Sequence, residues 1–328
     1  MEISRLENLP PPPGIINSIR AGFDSIASHI TAIFLPLLLN LFLWLGPRLR
    51  MNELFDEALN TLTTNWQALG IKVDDVQRIV DFYNDFFSTF NLFWILRTLP
   101  IGTSSLLPFR EASSTPFGEP TVWQVSGLSF PFLVMGLVFL GWVSGAIYFR
   151  SVAQIATPSE KEDIHIANAI LQTIFISILC GILFMTFAPV LGFILTFTLQ
   201  QGRFVSSLVI LFLSFTSMWF IVPIFFLPHA VFVFQQNVFK AVTSSINLTR
   251  FTLPNSSMFV LTIFILAYGL NFLWSIPSQD SWLTVVGIFG HSFVTTALLA
   301  SSFIYYRDMS VWAVTVLEKL KPTTTKQA

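Results

Sequence analysis

Residues 204–234, FVSSLVILFLSFTSMWFIVPIFFLPHAVFVF, hold no Asp, Glu, Lys or Arg. About 20 apolar residues cross a hydrocarbon layer, so this run reads as a transmembrane helix. Few other constraints on a fold are as strong, because inside lipid every backbone polar group must be satisfied within the protein. The chain then passes directly into 235–237 and the piece FKAVTSSINLTR. There Phe239, Val242 and Ile246 form an apolar stripe, with Lys240 and Arg250 beside it. The expectation is a span that leaves the bilayer and continues as an amphipathic helix in the cytoplasmic interface. Pro223 and Pro228 each lack a backbone donor, which makes them a candidate hinge in that span.

The same theme recurs along the chain. Five further spans are expected, at about 26–45, 129–149, 169–199, 258–276 and 283–306. Ile16, Ile19, Phe23 and Ile26, three and four apart, predict a surface helix leading into the first span. Trp44, Pro47, Arg48 and Arg50 close that span. The second span carries Gly141 and Gly145, a spacing that lets helix backbones approach closely in lipid. Pro189 and Gly192 predict a kink in the third, and Gln200, Gly202 and Arg203 a tight turn after it. Pro254 is expected to end the surface helix, with Asn255 or Ser256 capping the fifth span.

Residues 51–127 differ from the rest. Phe55, Leu59, Leu62, Trp66 and Leu69 form one helical stripe, with Gly70 as its stop. Val73, Val76, Val80, Tyr83, Phe87 and Phe90 form a second, heptad-like one. A helical hairpin follows, with Asp and Glu on its solvated face. FNLFWILRTLP is too short to span and is expected to dip into the interface. Residues 98–127, rich in Pro, Ser, Thr and Gly, read as a loop.

Six spans put both termini on one side. Short loops and tails on that side hold Arg5, Arg20, Arg150, Lys161, Lys240, Arg250, Arg307, Lys319, Lys321 and Lys326. The positive-inside rule makes it the cytoplasmic side and places the insert outside. The N-terminus MEISRLENLPPPPG has no apolar core, so it is not read as a signal peptide. The fold class expected is all-α: a polytopic transmembrane bundle of six spans, with cytoplasmic-face amphipathic helices and an extracytoplasmic helical hairpin insert. The domain reading is a disordered tail over 1–14, a membrane domain over 15–306 interrupted by the 51–127 insert, and a cytoplasmic tail over 307–328.

FLPLLLNLFLWLGPRL, with its Pro and Asn, and PHAVFVFQQNVFKAVTSSINLTR resemble a broad bacterial group. These are six-helix membrane domains related to the one attached to some glycerophosphodiester phosphodiesterases. The resemblance covers most of the chain except the insert and lies in hydropathy and surface-helix pattern, not in catalytic signatures. It implies a multi-pass fold in the bacterial cell membrane. It implies no phosphodiesterase activity, because the catalytic barrel is absent from this sequence.

Composition narrows the chemistry. Only 11% of residues are charged and the net charge is −1, so no global field favours nucleic acid. The single cysteine, Cys180, forms no intrachain disulfide. No GxSxG, HExxH, Walker-type loop or dinucleotide fingerprint occurs, and the six spans hold no Asp, Glu, Lys or Arg. No catalytic residue, cofactor or metal site is assigned. His229 and His291 lie within spans and are the candidate functional groups there; a helix-bridging hydrogen bond is the plainer role for each. The leading reading is a non-enzymatic accessory, scaffold or assembly protein whose partners are membrane lipids and another membrane protein. The alternative is a channel or transporter for a neutral or lipid-like molecule, its path lined by the proline-bearing third and fourth spans. An intramembrane enzyme comes third.

Overall fold

The computed structural model describes residues 10–69, 72–107, 114–158 and 164–320. The sequence readings at residues 1–9, at Gly70, Lys161 and its acidic neighbours, and over 321–328 lie outside these. The elements in order are α1 (Ile15–Ser28), a 3-10 turn (Ile30–Ile33), α2 (Phe34–Leu45), β1 (Arg48–Arg50), α3 (Asn52–Ala68) and α4 (Val73–Thr89). A second 3-10 turn (Leu92–Arg97), β2 (Val122–Gln124), α5 (Phe130–Ala156), α6 (Ile166–Leu199), α7 (Arg203–Phe234), α8 (Val238–Trp274) and α9 (Thr284–Leu320) follow. Five helices, α5 to α9, are long and apolar enough to cross a membrane, or six spans if α1 and the bent stretch after it count as one.

That first span is not one rod. α1 meets the 30–45 stretch at 95°. The bend itself falls at His29, with φ −132° and ψ 59°. Pro36 cannot donate to residue 32 and its ring crowds that carbonyl, which accounts for the 3-10 turn at Ile30–Ile33 before α2. Starting α2 at Phe34 puts Pro36 in the first turn, where the missing N–H costs nothing. Nor does α1 lie free on a surface. Ser18, Gly22 and Ile26, four residues apart, are buried, whereas Ile16 of the expected stripe is exposed. A Cβ at Gly22 would lie 2.7 Å from the Ala297 carbonyl oxygen, and Ser301 donates to the Ile19 carbonyl at 3.2 Å. α1 therefore packs backbone to backbone on α9.

α9 is the central element. It contacts α1, α2, α5, α7 and α8. Its buried face is largely small: Gly287, Ser292, Thr296, Ala297, Ala300, Ser301 and Ser302 let neighbours come close, and the hydroxyls of Thr296, Ser301 and Ser302 bond back to their own helix. Larger rings lock the next turn, with Tyr305 stacked on Phe259 of α8 at 3.8 Å and 2°. The helix does not stop at Tyr306. Met309 and Ala313 remain buried and Trp312 Nε1 donates to the Pro10 carbonyl at 2.8 Å, so residues 307–320 belong to the bundle and not to a separate tail.

Two boundaries around the organising stretch also differ from expectation. The chain does break after α7. Gln235 adopts the left-handed conformation at φ 54°, and Asn237 caps α8 by accepting from the Lys240 N–H at 3.0 Å. Gln172 of α6 accepts the Val238 N–H, which satisfies another end donor. α8 then runs through Pro254 without a break. Pro254 faces out, while Ala241, Ser245, Leu248, Thr249, Thr252 and Ser256 pack inward. That continuous inward face holds the helix across the missing donor. The expected stripe is the outer one: Phe239 is 85% exposed.

The insert forms two helices as expected. Phe55 of α3 stacks on Phe87 of α4 at 4.1 Å and 7°, and Leu59 and Val76 are buried. Residues 98–127 are more than a loop. β2 pairs in parallel with β1, Arg48 opposite Val122. Arg48 itself is buried and donates to the Leu43 carbonyl at 3.0 Å, placing its charge on the C-terminal end of α2.

Candidate functional site

Residues 98–107 form a non-helical strap inside the bundle, with Ile101, Thr103, Ser105, Leu106 and Leu107 buried. Backbone without regular structure at such depth must find donors and acceptors in the protein. Asn40 of α2, fully buried, supplies both. Its Oδ1 accepts the Leu106 N–H at 2.8 Å, and its Nδ2 donates to the Ser104 and Pro36 carbonyls at 3.2 and 2.7 Å. Gly141 and Gly145 of α5 supply the space. A Cβ at Gly141 would lie 2.8 Å from the Leu96 carbonyl oxygen, and one at Gly145 2.7 Å from that of Ile101. The glycine pair was expected to meet another helix. It meets the strap, because a glycine groove admits any close backbone.

A cavity of about 460 Å³ opens beside the strap. Its walls come from α5, α7, α8, α9 and the strap, and they are mainly Ile, Leu and Phe. His229 and Ser302 are the convergent polar pair. His229 sits 2.9 Å from the Phe225 carbonyl through Nδ1 and 2.6 Å from Ser302 Oγ through Nε2. A carbonyl only accepts, so Nδ1 carries the proton and Nε2 is left to accept. Ser302 Oγ also lies 2.7 Å from the Leu299 carbonyl. The Leu299 carbonyl already takes an N–H of its own helix, so the hydroxyl proton can serve His229, and the Ser302 oxygen keeps lone pairs for an outside donor. Pro228, on the same wall, leaves the Ile224 carbonyl without its helical donor. The polar spot thus accepts hydrogen bonds within an apolar chamber.

His291 does not join this site. It lies eleven residues before Ser302 on α9, about 16 Å along the helix axis. There it faces the Ser104 backbone and the Arg97 charge, buried, with no partner for Nε2. α7 runs unbroken through Pro223 and Pro228, and the chain changes conformation only at Gln235. Serine at 302 carried no sequence signal, since a hydroxyl in a helix is ordinarily satisfied by its own backbone. Asn40 was visible as the one amide of an apolar run. Among the described residues, no group of three or more His, Cys, Asp or Glu is placed to hold a metal, and no carboxylate touches His229.

The architecture is that of a helical protein with five or six candidate spans, compatible with a multi-pass membrane protein. Compared with family models, curated proteins and solved structures, the chain matches none.

Proposed function

We propose that this chain is a non-enzymatic, multi-pass protein of the bacterial cell membrane, with both termini cytoplasmic, that binds and transfers a neutral lipid-like molecule. The observation that carries this reading is the His229–Ser302 pair in the wall of the mainly apolar 460 Å³ cavity. Binding sites for small molecules are of this kind: concave, mainly apolar, with a few placed polar groups. A hydroxyl or amide on the ligand donates to the Ser302 oxygen, which has lone pairs to spare. The strap, held by Asn40 and the glycine groove, closes one wall and is the element whose movement would admit the ligand. The resemblance to stand-alone relatives of phosphodiesterase membrane domains supports a lipid setting.

The test is extraction of the purified protein and mass spectrometry of what comes with it. A reproducible hydroxylated or amide-bearing lipid is expected, reduced about tenfold in Ala267→Trp, which fills the cavity, and in Ser302→Ala, which removes the hydroxyl. Indistinguishable lipid content in the three proteins overturns the reading.

A scaffold or accessory role is the second reading, and one observation favours it. The most apolar windows of α6 and α7 are only 6% buried. They form a hairpin whose outer surface is free to meet another membrane protein. A partner recovered by crosslinking in native membranes, at the hairpin and nowhere else, would decide for it.

A further inference from the structure

The second cavity, about 540 Å³, lies where the end of α8 and the turn into α9 meet the insert. Its charged wall is Arg97, the last residue of the 92–97 turn. The guanidinium sits 3.9 Å from the centre of the Trp94 ring, a cation–π contact. No carboxylate among the described residues pairs with it, and its Nε is buried without a hydrogen-bond partner. Burial lowers its pKa to about 10, so it stays charged at neutral pH. Two more lining residues hold idle polar atoms. The Trp274 indole N–H and the Asn271 side-chain oxygen are both buried and unpartnered. An indole only donates, and a carboxamide offers either its oxygen or, turned over, its NH₂. A cation that no described carboxylate pairs with, lining the same cavity as an unused N–H, is the complement of an oxyanion.

The level of the site names the source. Trp44, Trp274 and Trp282 gather at this end of the bundle, with Trp44 donating to the Gln279 carbonyl at 2.7 Å and lying 6.0 Å from Trp282. Tryptophan concentrates at the membrane–water boundary, where lipid phosphates lie. The chamber is larger than a lone phosphate needs and takes a substituted one.

We propose that Arg97, with Trp274 and Asn271, forms a binding site for the phosphate of an anionic lipid headgroup. It is separate from the chamber at His229, and the strap residues lining the two are different: Ser105, Leu106 and Leu107 here, Leu99, Pro100, Gly102 and Ser104 there. An occupant would hold the strap from the boundary side.

The experiment follows the melting temperature of the full chain in dodecyl maltoside. The probes are dihexanoyl phosphatidylglycerol, dihexanoyl phosphatidylcholine and inorganic phosphate. Phosphatidylglycerol is expected to stabilise the protein saturably, phosphatidylcholine at least fivefold more weakly and phosphate little. Arg97→Gln is expected to weaken phosphatidylglycerol about tenfold, as removal of a charge-assisted bond does. Trp274→Phe keeps the ring, loses the donor, and should weaken it about threefold; it stands in if Arg97→Gln does not fold. Equal, Arg97-dependent stabilisation by inorganic phosphate would overturn the lipid source and leave a site for a soluble anion. Stabilisation that is the same for both lipids, or unaltered in the variants, would overturn the site.

Discussion

The α6–α7 hairpin and α9 are made of similar material and live differently. All three helices are apolar enough to span a membrane, yet the most apolar stretch is 6% buried in α6 and α7 and 61% buried in α9. The more apolar helices are the less buried. Lipid explains the inversion: hydrocarbon is as good a neighbour for Phe and Leu as a protein core is, so bulk hydrophobicity drives no association there. What draws helices together is close approach and polar pairing. α9 offers glycine, alanine, serine and threonine on its inner face. The hairpin offers Phe184, Phe193, Phe212 and Phe215 to its surroundings. At its tip the two arms are tied to each other, closing at Gly202 with φ 102° and at Ser206, which donates to the Thr198 carbonyl at 2.9 Å, while the far half of α7 packs on α8.

The sharpest way to break this contrast is to remove a ring from each region. Phe259→Ala takes away the face on which Tyr305 stacks at 3.8 Å and opens a cavity at the centre. A loss of about 3–5 kcal/mol is expected. Phe193→Ala in α6 loses only a contact with Phe197 one turn away, 6.3 Å between centres, and should cost under about 0.5 kcal/mol. Unfolding in mixed micelles of denaturing and nonionic detergent measures both. Equal losses would mean that the outer part of the hairpin, around Phe193, packs against the bundle or a second chain in solution.

Glycines sharpen the same line at smaller scale. Gly145→Leu drives a side chain into the Ile101 carbonyl, whereas Gly181 and Gly192 of α6 have nothing within 4 Å of an added Cβ. The first should destabilise by about 1–3 kcal/mol and loosen the strap to protease; Gly181→Leu should leave the melting temperature where it was. Resistance of both variants to heat and protease would take the strap out of the glycine groove.

The smallest effect expected is at the surface of α1. Arg20 and Asp24 lie 3.7 Å apart, with side chains 82% and 73% exposed. Asp24→Asn should change stability by less than about 0.5 kcal/mol. A larger loss would show that α1 is held by its charges and not by the Gly22 and Ser301 contact with α9.

Hydropathy made the long helices legible, and three-four spacing the hairpin of the insert, since Phe55 and Phe87 meet as the two stripes require. What stayed hidden has one physical cause. The buried faces of α1 and α8 are written largely in Ser, Gly, Ala and Thr, letters an apolar-stripe reading passes over; of its stripes, Ile26 is buried and Ile19, Phe23 and Val242 pack partly on the core, while Ile16 and Phe239 face out. Pro254 looked like a terminator because the proline rule is local, while the reason α8 continues is the wall of α9 beside it. The candidate cavity was half legible. His229 stood out as an ionisable group in a span, but its partner Ser302 is seventy-three positions away and unremarkable in isolation. Arg97 was one cation in a long segment, and only the fold shows that no carboxylate among the described residues pairs with it.

The position of α9 in the chain has a consequence for how the molecule comes into being. The ribosome makes it after every other helix described, yet α1 and α2 lean on it and Trp312 reaches back to Pro10. The early segments therefore enter the bilayer with their glycine and serine faces uncovered. They must wait there, guarded by lipid or by insertion machinery, until the keystone is delivered. A nascent chain arrested before residue 284 would hold a bent first span with nothing to brace it, and quality-control proteases would meet the protein at that stage.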